Sequence, residues 1–267
     1  MKTITRHGIL VTVLLLLLVS CGKENAVSNL KTERLRIDTV EVLNGNVDKS
    51  PQCNVSFDMR CFKGEDGEKI NRQLIASGII MPEYVEFNTQ PFNMKGYLKA
   101  FMKRYVDDYK KCYAPLYRVD PNHAFSYDLR YKVKTSIGKT ACNLVPYIVE
   151  TEYYGGGEHA VKQTIIRNID VQSKQVVAIG DIVDDDNFKQ LNDIIVQELC
   201  SQSKCVNLVQ LREKDIFADG RIYPSDNFLV DKDHLTLIYG EGEIAPSEIK
   251  IQIKKKKLKD ILKDSYK

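Results

Sequence analysis

"NLVPYIVETEYYGGGEHAVKQTIIRNIDV", Asn143 to Val171, decides how the rest of the chain is read. Two extended runs rich in β-branched and aromatic residues flank three consecutive glycines. Glycine supplies the positive φ that a chain reversal needs. Asn143–Tyr154 and Val161–Val171 are therefore expected to be strands joined by the turn Gly155–Ala160. Pro146 suggests that the first of them is an edge strand or carries a bulge.

The turn admits several chemical readings. Glu158 and His159 offer an acid–base pair, but neighbours on an extended chain point to opposite faces. A phosphate cradle needs a helix whose N-terminal amides follow the glycines, and Val161 to Val171 reads as strand. Two readings remain. In one, His159 hydrogen-bonds a backbone carbonyl and fixes the turn. In the other, the turn forms a contact surface with its tyrosines, which give large area at small entropic cost. The candidate ligand-binding residues are Tyr153, Tyr154, Gly156, Gly157, Glu158 and His159.

Working outward, "RLRIDTVEVLN" (Arg34–Asn44) and "CNVSFDMRCF" (Cys53–Phe62) alternate as strands, the second with Val55, Phe57, Met59 and Cys61 on one face. Gly64 to Gly67 reads as a turn and Glu68–Ile80 as a helix with Ile70, Leu74 and Ile75 inward. A second helix is expected over Asn93–Cys112, its stripe Met94, Leu98, Phe101, Tyr105, Tyr109, Cys112 at helical spacing. "FSYDLRYKV" (Phe125–Val133) alternates as a half-exposed strand. After Val171 come a turn at Gln172–Lys174, an extended "QVVAIGDIV", and a helix whose face is Phe188, Leu191, Ile194, Ile195 and Leu199. Asp184 to Asp186 precede that helix as capping and dipole-compensating acids. Strands at Phe228–Val230, Leu235–Tyr239 and Glu248–Ile253 follow, then a helix over Lys255–Leu262 and a basic, solvated tail. This order predicts an α+β fold of mainly antiparallel sheets with helices packed on one face.

The first residues form a targeting segment. Lys2 and Arg6 precede an apolar run, Ile9–Val19, far short of the roughly 20 residues that span a bilayer. It ends in Leu18-Val19-Ser20-Cys21, which resembles a bacterial lipobox. That resemblance implies cleavage before Cys21 and a lipid anchor on it, with Gly22 at the next position favouring an outer-membrane or surface location. Loss of Lys2 and Arg6 lowers the formal charge of +3 by two, to about +1. No basic face with interleaved aromatics appears, so nucleic acid is not an expected partner.

Six further cysteines, Cys53, Cys61, Cys112, Cys142, Cys200 and Cys205, form an even set without a C-x-x-C pair, which outside the cytoplasm favours disulfides. Cys53 and Cys61 lie roughly 26 Å apart along one strand and should not pair with each other. Cys200 and Cys205 are separated by roughly 7.5 Å of rise on a straight helix, so their pairing requires the helix to stop between them. The other four are expected to cross-link distant strands. No metal or cofactor is expected. His123, His159 and His234 lack metalloprotease spacing, and Asp184–Asp186 fits no EF-hand loop.

Tyr153-Tyr154-Gly155-Gly156-Gly157-Glu158-His159 resembles the Tyr-x-Gly-Gly-Ala-His signature of the RsiV-like extracytoplasmic domain, with glutamate in place of alanine. "NFLVDKDHLTLIYGEGEIAPSEIKIQI" extends the resemblance through Glu243-Ile244-Ala245-Pro246, so that it covers about residues 140–262. The preceding part, about 34–135, resembles the N-terminal module of PdaC-type deacetylases through Ile70, Asn71 and Leu74. The targeting segment (1–20) and a polar, unpatterned tether (21–33) thus precede the two similar-sized α+β modules (34–138 and 139–267) that the two resemblances imply. RsiV-like anti-sigma factors carry a transmembrane helix and a sigma-binding tail, and PdaC-like enzymes a further catalytic domain. The sequence shows none of these, so the implied part is the extracytoplasmic one, which binds lysozyme in the anti-sigma branch. The expected function is a non-catalytic envelope lipoprotein that binds or senses a lysozyme-like protein or a peptidoglycan-related ligand. The alternative is an envelope deacetylase or hydrolase using His159 and Glu158.

Overall fold

The computed structural model describes residues 30–44, 50–83, 92–218 and 220–267. The targeting segment, Cys21 and most of the tether lie outside them. Among the described residues, nine strands form two sheets. The larger contains β1 (Thr32–Val42), β2 (Gln52–Phe62), β3 (Leu129–Ile137), β4 (Leu144–Tyr154), β5 (Val161–Asp170) and β6 (Gln175–Val177), in that spatial order. Every neighbouring pair is antiparallel except β2–β3, which runs parallel. A parallel pair needs a long crossover, and α1 (Gly64–Ala76) and α2 (Met94–Val119) lie within it. The smaller sheet, β7 (Phe228–Val230), β8 (His234–Tyr239) and β9 (Ile249–Lys254), is antiparallel throughout. Around it lie α3 (Ile179–Ile182), α4 (Phe188–Ser203) and α5 (Leu208–Arg212). The α+β architecture expected from the sequence is therefore the one observed.

Period-two alternation sets the first core. Cys53, Val55, Phe57, Met59 and Cys61 of β2 all point toward the helices, where Phe101, Tyr105 and Tyr131 meet Phe57 in a ring cluster. The opposite face of β1–β5 is polar and stays open over much of its length. The second core gathers α3, α4, the small sheet and the C-terminal segment. The two cores divide near Val171–Val177, and residue 138 lies between two neighbouring strands of the large sheet.

Several local expectations are corrected. Gly64 to Gly67 open α1 instead of forming a turn, with Glu65 and Asp66 favourably placed in its first turn. There is no room for a larger residue at Gly67, whose Cβ would lie 2.5 Å from the Phe62 carbonyl carbon. Helix α2 runs on past Cys112 to Val119, and Cys112 is exposed, so the buried stripe ends at Tyr109. Residues Pro121–Tyr127 form a 3-10 helix, so the strand begins at Leu129 and Phe125 faces solvent. Pro146 lies in an internal strand. Its carbonyl accepts from Gly138 N (2.8 Å), just beyond the last β3–β4 pair, so its missing N–H faces no partner strand. The extended reading of "QVVAIGDIV" holds only for β6, after which α3 begins. Helix α4 starts at Phe188, after a 3-10 turn, and no side chain caps it. The C-terminal segment is no helix with a solvated tail: Leu258, Ile261, Leu262 and Tyr266 are buried, and only short 3-10 turns occur.

Candidate functional site

Strand register places the hairpin turn at a defined end of the molecule. Tyr154 pairs with Arg130, Leu129 with Cys53, and Gln52 with Val42. Thr32 pairs with Phe62 at the other end of β1, about 35 Å away along eleven extended residues. The turn Gly155–Ala160 therefore lies at the end of the sheet opposite Thr32, where β1 begins.

The turn is fixed by backbone contact and not by its histidine. Gly156 has φ +78°, and a Cβ there would lie 2.0 Å from the carbonyl oxygen of Ser126 in the 3-10 segment. Only glycine fits such an approach. Glu158 and His159 are exposed, and neither makes a side-chain hydrogen bond among the described residues. The carbonyl bond expected of His159 is thus not what holds the loop.

Tyr153 and Tyr154 diverge, as alternation requires. Tyr153 lies on the helix side, where it lines a cavity of about 330 Å³ with Tyr105, Tyr131, Val161, Ile79 and Met81. Burial pushes the Tyr131 phenol up to about 12, so it stays protonated, and its oxygen accepts from Met81 N at 3.2 Å. Tyr154 lies on the open face, under the Arg130 guanidinium at 5.3 Å, and Arg130 Nε donates to Glu152 at 2.8 Å.

Next to the turn, the last turns of α2 and the 3-10 segment carry aromatic and apolar groups. Tyr127 meets Tyr113 and Tyr117 ring to ring, at 6.1 and 6.2 Å. Around them Leu116, Val119 and Phe125 are exposed, Val119 at 87% and Phe125 at 65%. Ser126 of this segment meets Gly156 of the turn, and Tyr153 and Val161 on the two sides of the turn are exposed as well, so this end is termed the apolar tip of the large sheet. The sequence reading missed Leu116, Val119 and Phe125, although the aromatic density of residues 109–127 pointed to them.

A second concavity of about 640 Å³ lies on the open face, lined by Asp58, Lys132, Lys134, Glu150, Glu152 and Lys162 among others. Its charges largely compensate one another across strands: Arg34 and Arg36 with Asp58, Arg130 with Glu152, Lys134 with Glu150 at 3.7 Å. Such cross-strand pairing is what an exposed antiparallel face requires for its own stability.

His123 pairs with Asp120 (2.7 Å) and His234 with Asp231 (3.5 Å), and no cluster among the described residues is placed to hold a metal ion. No disulfide joins any of the six described cysteines in the structure, so the cross-links expected between distant strands are not seen. Cys53 and Cys61 sit in the first core, where burial pushes both thiols up to about 12. They line the same face of one strand and meet helices, not each other. Cys142 accepts from the Lys255 ammonium at 2.9 Å.

Comparison with known proteins gives a family match in the C-terminal part of the chain. Residues 180–256 match the model described as "Protein of unknown function (DUF3298)". The fold is shared with solved DUF3298 proteins. One from Bacteroides fragilis is 20% identical, with a TM-score of 0.72 over 89% of this chain and 95% of that one. Another, from Pseudomonas aeruginosa, is 13% identical, with a TM-score of 0.58 over 90% of this chain and 98% of that one. No curated protein matches the sequence.

Proposed function

We propose that the chain is a non-catalytic lipoprotein of the cell envelope, anchored through Cys21 and facing the periplasm or cell surface from the outer membrane. In this reading the RsiV-like and PdaC-like resemblances of the two parts describe a binding or sensing module. It presents the apolar tip around Tyr153, Val119 and Phe125 to a lysozyme-like protein or a peptidoglycan fragment. The observation that carries it is the position of that tip. Exposed apolar groups lie on the segment whose Ser126 meets the glycine turn, at the end of the sheet opposite Thr32, where β1 begins. Exposed apolar clusters of this kind mark contact surfaces, and a tethered protein gains reach by holding such a surface away from its anchor.

The test is a pull-down with the mature chain against lysozyme and, separately, soluble muropeptides. It is repeated with Val119→Ser/Phe125→Ser, two exposed positions whose change should leave the fold intact. Retention of either ligand by the wild type, lost in the double variant, is expected. Binding that is unchanged in the variant, or glycan deacetylation or cleavage by the wild type, overturns the reading. Incorporation of labelled palmitate that disappears in Cys21→Ser checks the anchor.

A further inference from the structure

We propose that Cys200 and Cys205 form a disulfide across the C-terminal turn of α4, a covalent modification site set by the way this helix stops. Helix α4 ends at Ser203, and Lys204 adopts the left-handed conformation, φ 53° and ψ 46°. Cys205 N then donates to the Cys200 carbonyl at 2.8 Å. This six-to-one bond around a left-handed residue is a Schellman-type stop, in which the side chains of the first and sixth residues come together. Here those residues are the two cysteines.

The distances agree. Standard bond lengths and a trigonal carbonyl, added to that 2.8 Å contact, hold the two Cα atoms within about 6.7 Å. Disulfides accept Cα separations of about 4.4–6.8 Å. Both side chains belong to one surface, Cys200 buried in the second core and Cys205 half-buried against it. Burial first, and then Cys205, raise the Cys200 thiol. The other cysteines are placed differently, since Cys53 and Cys61 are sealed in the first core and Cys112 is exposed on α2.

Closure requires a two-electron oxidant, and the appropriate class is a disulfide. One thiolate attacks a sulfur of oxidised glutathione and expels one glutathione thiolate, leaving a mixed disulfide. The second thiolate then attacks the protein sulfur of that bond and expels the other. The protein loses two protons and two electrons, and the carrier disulfide becomes two thiols. The bond would lock the elbow between α4 and α5, which Lys214 already clasps through its 2.6 Å donation to the Ser203 carbonyl.

Lys204 makes the test direct, because trypsin cuts between the two cysteines. The full chain is incubated with oxidised glutathione, its remaining thiols are alkylated, and it is digested without reduction. Peptides Gln190–Lys204 and Cys205–Arg212 should run as one species, lighter than their sum by two hydrogens, and should separate on reduction. In Cys205→Ser, Cys200 should instead carry the alkyl group or glutathione. Recovery of both wild-type peptides alkylated, or of either joined to Cys112 or Cys142, overturns the proposal.

Discussion

A Cβ at Gly156 would lie 2.0 Å from a backbone oxygen, whereas at Gly157 it would meet nothing within 4 Å. Three glycines that look equivalent in sequence therefore carry unequal constraints. Gly156→Ala must leave the left-handed region or push the 3-10 segment away. We expect it to cost about 2 kcal/mol or more, from conformational strain plus the clash. Gly157→Ala should cost well under 1 kcal/mol, as open surface positions do. Urea midpoints of the two variants check this, and equal losses would show that the turn does not lean on Ser126. Asparagine acts at the same scale. Asn71 donates to Phe62 O at 2.8 Å and accepts from Phe62 N at 2.9 Å, so its amide replaces a neighbouring strand at the end of β2. The sequence marked Asn71 through a resemblance but could not assign it that role, because its partner lies on another element.

Between elements, the β1–β2 pair shows how the open face is held. The guanidinium of Arg34 donates to Asp58 at 2.6 Å, and this bond is the largest of the causes that bring the carboxyl down to about 2. A carboxyl whose folded pKa is depressed stabilises the fold above its unfolded value of about 3.9, and that contribution is lost as pH falls through about 2. Asp58 keeps 30% of its side-chain surface exposed and Arg34 43%, so screening keeps the effect within about 1 kcal/mol. Asp58→Asn should therefore lower the urea midpoint at pH 6 and leave it nearly unchanged at pH 2. A difference that is constant with pH would assign the loss to packing. Alternation made the strands β1, β2, β4 and β5 and the inner face of β3 legible in the sequence, and helical spacing did so for the stripe of α2. What stayed hidden depends on distant partners. Leu258, Ile261 and Leu262 have helical spacing, yet that segment is held by a bridge from Val183 to Leu262 and by Lys263 N donating to Ile182 O. At the site, the glycine turn was readable because glycine is a local signal. The apolar tip was not, because the alternation that the sequence suggests from Phe125 onward begins only at Leu129.

At the scale of the whole molecule, two cores meet along the free margin of β5. Strand β6 covers only Asn168–Asp170, which leaves the upper part of β5 as an edge. Asn227 closes part of it from the second unit: its amide accepts from Ile166 N at 2.7 Å and donates to Thr164 O at 2.8 Å. Asn168 donates to Phe228 O at 2.8 Å, and half-buried Arg167 reaches both Ser77 O, at 2.9 Å, and Asp226 O, at 3.4 Å. Burial lowers the pKa of that guanidinium, yet it retains carbonyl acceptors from both units. These bonds should make the cores unfold together. Hydrogen exchange of amides in β2 and in β8 should report the same opening free energy in the wild type. Asn227→Ala leaves Ile166 N and Thr164 O without partners, at a cost of about 2–4 kcal/mol. It also bares an edge that can pair with another chain, so the variant should open β8 before β2 and self-associate on gel filtration. Equal protection of β2 and β8 in the variant would mean that the cores are joined chiefly by apolar contact, with Asn227 a local clasp.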